Sequence, residues 1–360
     1  MKISKNSLQM IQELADAFGP AGFEDDVVAV ARTYAKDLGT IEEDCLRNFY
    51  LYRKENRNGQ PLLMLDAHSD EVGFMVQAIK PNGTLRFLTL GGWNKNVLPA
   101  STVLVRTALG TYIPGFIAAK PVHFMSAAER EQGVDDISSL IIDIGATSYE
   151  DAVHNFHIRI GEPVVPATKF RYDEEHDVMF GKGFDCRIGC AALLEAMRRI
   201  SGEELPCNIV GTLSTQEEVG ERGCTVAVKH VKPDIAIVLE GCPADDTFME
   251  SYMIQCALKK GPMVRFMDKS IICSPRFQRF TLDLAESLGL PIQAAVRSGG
   301  GNNGAVINTA LDGIPVIVIG VPVRYIHSTN GITSYYDFEA TVELVIALLR
   351  ALTPEQIQKF

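Results

Sequence analysis

PLLMLDAHSDEVGFMVQAI, residues 61–79, changes character halfway along. Its first half reads as a buried strand, with the apolar run Leu62–Leu65 leading out into the polar side chains of His68, Ser69 and Asp70. Beyond Asp70 the chain breaks into short β-like runs, VGFMVQAI, TLRFLTL, STVLVRT and GTYIPGFIA, punctuated by Asn82-Gly83 and Gly91-Gly92 turn signals. This character lasts to about Pro166, with one embedded segment, SSLIIDIG, and a helix around SYEDAVHNF.

On either side of this region, strands and helices alternate. Leu8, Ile11, Leu14 and Ala15 recur at helical spacing within 6–18, and Gly19-Pro20-Ala21-Gly22 ends that helix. A second helix fits Glu24 to Leu38. After Pro166, helical patterns over 186–200, 276–290 and 336–352 are interleaved with apolar strands at 207–215, 234–241 and 314–322. That alternation implies an α/β layer structure with a mainly parallel sheet. The simplest architecture is one discontinuous domain, 1–70 plus 167–360, interrupted by a β-rich insertion over 71–166.

Composition limits the function. A chain of 360 residues with 46% apolar and 22% charged residues is that of a soluble globular protein. No window approaches the roughly 18 uninterrupted apolar residues of a membrane span, and the N-terminal stretch lacks the apolar block of an export signal. A net charge of −11, without any Lys/Arg cluster, argues against nucleic acid or an anionic membrane as partner. The eight cysteines are dispersed and form no CxxC pair, so reduced and mostly buried thiols in a cytoplasmic protein are expected.

In open α/β sheets, ligands bind outside the carboxyl ends of the strands. Here those ends carry acids and imidazoles: His68-Ser69-Asp70, Gln216-Glu217-Glu218, Glu240, and a run through Arg324 to His327. Gly183-Phe184-Asp185-Cys186-Arg187 lies just before a helix. Two imidazoles and several carboxylates make a divalent-metal site of the N/O type, suited to zinc, cobalt or manganese. Each piece alone has a bland reading, since a strand-end His usually just finds a partner and paired Glu residues are usually solvated. Both, however, follow buried strands, where like charges are costly without a cation. In His68-x-Asp70 the side chains point the same way on an extended chain, so the carboxylate can hold the second imidazole nitrogen.

The chain resembles the dinuclear-metal aminopeptidases of the M42 peptidase family, which include glutamyl aminopeptidases and the tetrahedral aminopeptidases of archaea. The resemblance runs through GPAGFE (19–24), DAHSDEVGFMV (66–76), LGGWNKNVLP (90–99), AAKPVHFM (118–125), LIIDIGATSYEDA (140–152), GKGFDCRIGC (181–190), STQEEVGERG (214–223) and VPVRYIHS (321–328). It implies a mixed-sheet, zinc-peptidase-type α/β catalytic domain with an inserted small β-rich domain for dimerisation and assembly, the 71–166 segment. It also implies two divalent ions per subunit, zinc or cobalt, with manganese also compatible. Asp185 would bridge the ions, one of them also held by His68 and Glu240, the other by Glu218 and His327. Glu217 would be the general base or acid and Asp70 the residue orienting His68. Only one of two consecutive glutamates in an extended segment can point directly at the ions. The implied activity is removal of N-terminal residues from short peptides, in a homo-oligomer of dimers assembled into a dodecamer.

Three departures from the family pattern stand out. Glu240 replaces the usual Asp, Cys186 stands where a second Asp is usual, and SGGGNNGAVINT (298–309) lacks the usual Thr-Asp after its glycines. Cys186 could be a soft zinc ligand or a plain buried replacement, the latter being the habit of free Cys. Arg297 and Arg324 could favour acidic N-terminal residues or serve as ion-pair partners. Two other functions use the same residues: a related metal-dependent hydrolase such as a deacylase or glycan hydrolase, and a non-catalytic assembly or binding module. Sugar sites want aromatic platforms and Trp93 is the only Trp, while a dead site has no need of an intact buried acidic cluster.

Overall fold

The computed structural model describes residues 3–127, 130 and 136–360. Its centre is an eight-stranded mixed sheet, in the spatial order Gly39–Glu43, Phe49–Arg53, Asn208–Ser214, Leu62–His68, Ile235–Pro243, Val316–Val323, Met263–Met267, Gln293–Val296. The inner strands read as continuous apolar runs because both of their faces are covered. Leu63, Leu65 and Ala67 face one core with Ile235, Ile237, Leu239, Ile317, Ile319 and Val321. Met64, Ala236, Val238, Val316 and Val318 face the other. The first core is closed by helices Lys5–Asp16, Asp25–Ala35, Pro275–Leu288 and Tyr335–Ala351, and by Phe184–Arg199, which lies across strands Leu62–His68 and Ile235–Pro243. The second is closed by helices Arg222–Val231 and Gly304–Asn308.

The four inner strands are parallel and the sheet as a whole is mixed, as the resemblance implies. The hairpin Gly39–Glu43/Phe49–Arg53 adds antiparallel to Asn208–Ser214, and Met263–Met267 adds antiparallel to Val316–Val323. These outer strands are five residues each, and the edge strand Gly39–Glu43 alternates between exposed and half-buried residues, so no long apolar run marks it. A separate three-stranded sheet of Arg171–Asp173, Val178–Gly181 and Gly331–Thr333 was equally silent in the sequence.

Between His68 and Ala167 the chain builds a closed barrel, with strands in the order Gly73–Ile79, Leu85–Leu90, Ile142–Asp143, Tyr112–Ile117, Thr102–Arg106, Pro163–Pro166. Period-two alternation aims Phe74, Val76, Leu85, Phe87, Val103 and Val105 inward to a core of its own. SSLIIDIG contributes the short strand Ile142–Asp143, with Leu140, Ile142 and Ile144 buried in the barrel core. Leu88 and Phe116 remain exposed on the barrel strands, at 53% and 43%. No helix among the described residues is long and apolar enough to cross a membrane. All eight cysteines are free, and all but Cys45 are buried.

Candidate metal centre

The carboxyl ends of the parallel strands meet at a cavity of about 690 Å³ lined by His68, Asp185, Glu217, Glu218, Glu240 and His327. Asp185 lies in the middle. Its Oδ1 is 3.2 Å from His68 Nε2 and its Oδ2 3.4 Å from His327 Nε2. Asp185 and Cys186 have non-helical backbone angles, so the regular helix begins only after them. Around this carboxylate the donors fall into two groups. His68 has Glu240 Oε2 at 3.6 Å, and His327 has Glu218 Oε2 at 3.5 Å. The sets His68, Asp185, Cys186, Glu240; Asp185, Glu218, His327; and His68, Glu217, Glu218 each bring their donor atoms within 4.8 Å of one another.

The donor set fits divalent cations. Oε1 of Glu218 and Oε1 of Glu240 are buried without a hydrogen-bond partner. Burial pushes Glu218 up to about 8 and Glu240 up to about 7, and it drives Glu217 well above the ordinary carboxylate range. Burial would lower the two imidazoles, but Glu217 and Asp185 hold His68 well above its usual value, and Asp185 and Glu218 lift His327 to about 10. Against its own burial, Asp185 is held below the carboxylate range by hydrogen bonds to both imidazoles. A crowd of buried carboxylates short of positive charge is an environment that bound cations relieve.

Asp70 is fully buried outside the cavity wall, with Oδ1 3.4 Å and its own backbone carbonyl 3.2 Å from His68 Nδ1. The same carboxylate accepts the N–H groups of Glu217 at 2.9 Å and Glu218 at 3.1 Å. The two glutamates do not alternate as an extended segment requires. The strand ends at Ser214, and Gln216 takes a left-handed φ of 54°, so both carboxylates reach the cluster. Glu217 Oε2 lies 3.8 Å from His68 Nε2.

Cys186 is buried beside Glu240 and donates its thiol to the Leu239 carbonyl at 3.0 Å. Arg297 lines the cavity with its guanidinium on Asp245 and the Pro243 carbonyl, each at 3.1 Å. Arg324 does not line it; it clamps Asp246 through two bonds of 2.9 and 2.6 Å. Ser298 to Gly301 form part of the wall, while Asn302 and Asn303 turn away to Asp268 and Asp66. Trp93 packs on Phe74, bonds the Gly73 carbonyl and does not line the cavity, so it offers no sugar platform there.

Sequence reasoning assigned no role to Gly91 and Gly92. The Gly92 carbonyl lies 2.7 Å from His327 Nδ1, where it fixes the ring. Gly91, at φ +85°, would place a Cβ 3.1 Å from Glu218 Oε2, so only glycine lets the barrel come this close. The signal was present as a Gly-Gly pair, which reads first as a turn.

A sequence model described as M42 glutamyl aminopeptidase matches residues 48–344. Glutamyl aminopeptidase of Lactococcus lactis is 31% identical over 96% of this chain and 97% of its own. The TET aminopeptidase from the archaeon Thaumarchaeota SCGC AB-539-E09 is 36% identical, covers 98% of both chains and superposes with a TM-score of 0.94. The TET1 peptidase of Pyrococcus horikoshii, which can assemble into a tetrahedron or a large octahedral shell, is 27% identical over 96% of this chain and all of its own, with a TM-score of 0.85.

Proposed function

The chain belongs to the M42 peptidase family, and from that premise we propose that it removes N-terminal residues from short peptides at a centre of two divalent ions. The observation that carries this is Asp185, whose two oxygens face one imidazole each, with a further carboxylate beside each imidazole. His68, Asp185 and Glu240 would hold one ion and Asp185, Glu218 and His327 the other. Zinc, cobalt and manganese all suit such N/O donors. Ions bound there would polarise the scissile carbonyl and acidify a water.

The remaining steps fall to the protein's side chains. Glu217 shares a donor group with His68 and Glu218, but in this scheme it is the carboxylate that neither ion needs as a ligand. Its burial raises its proton affinity, which suits it to take a proton from the attacking water and pass it to the leaving amine. Asp70 keeps His68 oriented and the Glu217–Glu218 backbone in place. Phe248, Met253 and Val296 give the cavity an apolar wall for the substrate's first side chain. The barrel, residues 71–166, would pair subunits, and a dimer on each edge of a tetrahedron makes a dodecamer. That reading rests on the family premise; Leu88 and Phe116 are exposed apolar positions on the barrel strands where it can be tested. The free, mostly buried cysteines are in keeping with a cytoplasmic protein.

Aminoacyl-arylamides and dipeptides offered to protein loaded with zinc, cobalt or manganese test the activity. Release of the N-terminal residue is expected with at least one of these ions. No hydrolysis with both ions bound would defeat the proposal.

A further inference from the structure

The turn Gly19–Glu24 supplies no ligand and does not line the cavity, yet it lies beneath the centre. Glu24 is 1% exposed, and its Oε1 accepts the N–H of Gly22 at 2.8 Å and that of Gln216 at 3.1 Å. Gln216 is the left-handed residue that swings both glutamates toward the centre, and a non-glycine residue in that conformation needs local support. The next two N–H groups, of Glu217 and Glu218, go to Asp70 Oδ1 and Oδ2. Three consecutive N–H groups therefore converge on two buried carboxylates. This is a backbone nest of the kind that binds anions, with the protein's own side chains as the anions.

The turn that carries Glu24 is itself anchored to the other two ligand-bearing segments. The N–H of Glu71, next to Asp70, bonds the Gly19 carbonyl at 3.0 Å. Lys182 bonds the Ala17 carbonyl and Glu71, at 3.0 and 2.6 Å. Arg187, two residues from Asp185, bonds the carbonyls of Leu14 and Gly19 at 2.8 and 3.0 Å. Glu24 thus ties this anchor to the third segment at Gln216, as Asp70 does at Glu217 and Glu218.

We propose that Glu24 is a positioning residue for Glu217, setting through Gln216 where the general base sits. The proposal rests on the role given to Glu217 above. Misplacing a reacting group by about 1 Å can cost up to about a hundredfold in rate.

The test compares Glu24→Ala with Glu24→Gln in the full-length, metal-loaded protein. Glu24→Ala should speed hydrogen exchange at Gln216 by about tenfold or more, because its N–H loses its acceptor, and the neighbouring N–H groups of 217 and 218 should loosen with it. It should also lower kcat by about tenfold to a hundredfold while KM and metal content hold. Glu24→Gln keeps an acceptor oxygen and should restore both readouts. If Glu24→Ala fails to fold, Glu24→Asp, one methylene too short to hold both N–H groups, is read in the same way. Wild-type exchange at 216–218 in the Ala variant would overturn the proposal. So would equal losses in Ala and Gln that simply follow a lowered melting temperature. If the wild type itself cleaves no peptide, the peptidase reading fails, and the exchange measurement alone decides whether Glu24 holds the segment.

Discussion

Asp70 stands behind His68 and beneath Glu217 at once: its Oδ1 is 3.4 Å from the imidazole Nδ1 and accepts the Glu217 N–H at 2.9 Å. One buried carboxylate therefore holds both the imidazole of His68 and the backbone of Glu217, the proposed metal ligand and the proposed base. Asp70→Asn keeps the shape but removes the charge and one acceptor. Metal affinity or activity should fall by about ten- to a hundredfold, the usual scale for a partner behind a ligand. Chelator competition and steady-state kinetics would measure it, and wild-type values in both would remove Asp70 from the scheme.

Glu217 and Glu218 are neighbours to which the proposed mechanism gives different tasks. Glu217→Gln should keep the fold and most of the metal while peptide hydrolysis drops by roughly two to four orders of magnitude, because the amide cannot accept the proton. Glu218→Gln should lose activity together with metal. Hydrolysis of Leu- or Glu-arylamides by the Glu217 variant at the wild-type rate would show the base to be elsewhere.

Asp185 is shared between the two donor groups, so Asp185→Ala should release both ions or leave one weakly held. Elemental analysis of the purified protein should give two ions per chain for wild type. A single tight ion, unchanged by the substitution, would contradict the bridging role. Chelation of wild type should lower its melting temperature, since ions that bind only the native state stabilise it by mass action.

Lys182 and Arg187 are nearly fully buried against Glu71. Burial lowers the Lys182 proton affinity, and Glu71 opposes that. Lys182→Met would strip a buried carboxylate of its closest partner, and losing one member of a buried pair costs about 3–5 kcal/mol. Denaturant unfolding that shifts by less than the error of the measurement would mean Arg187 alone suffices.

The barrel surface gives a test of assembly. Leu88→Glu combined with Phe116→Glu should shift light scattering from a large assembly to a smaller species while the barrel core, built from the inward-facing positions, stays intact. A wild-type monomer at micromolar concentration would defeat the assembly itself.

Much of this protein was legible before any coordinates. The central strands announce themselves because Leu62–His68, Ile235–Pro243 and Val316–Val323 are apolar on both faces; His68 at one strand end, Glu240 within the second strand and His327 four residues beyond the third fall on one edge. The barrel strands carry period-two alternation, which is equally local. Tertiary structure alone decided other matters. The register of the outer strands, the approach of Gly91 and Gly92 to Glu218 and His327, and the division of Arg297 from Arg324 depend on residues far apart in the chain. The sharpest case is Glu217-Glu218. Alternation would send one glutamate inward and the other away, but a left-handed Gln216, bonded to Glu24 across 192 positions, turns both inward. A periodic pattern records which face of an element is buried, whereas such a turn depends on a carboxylate that only the folded chain brings within 3.1 Å.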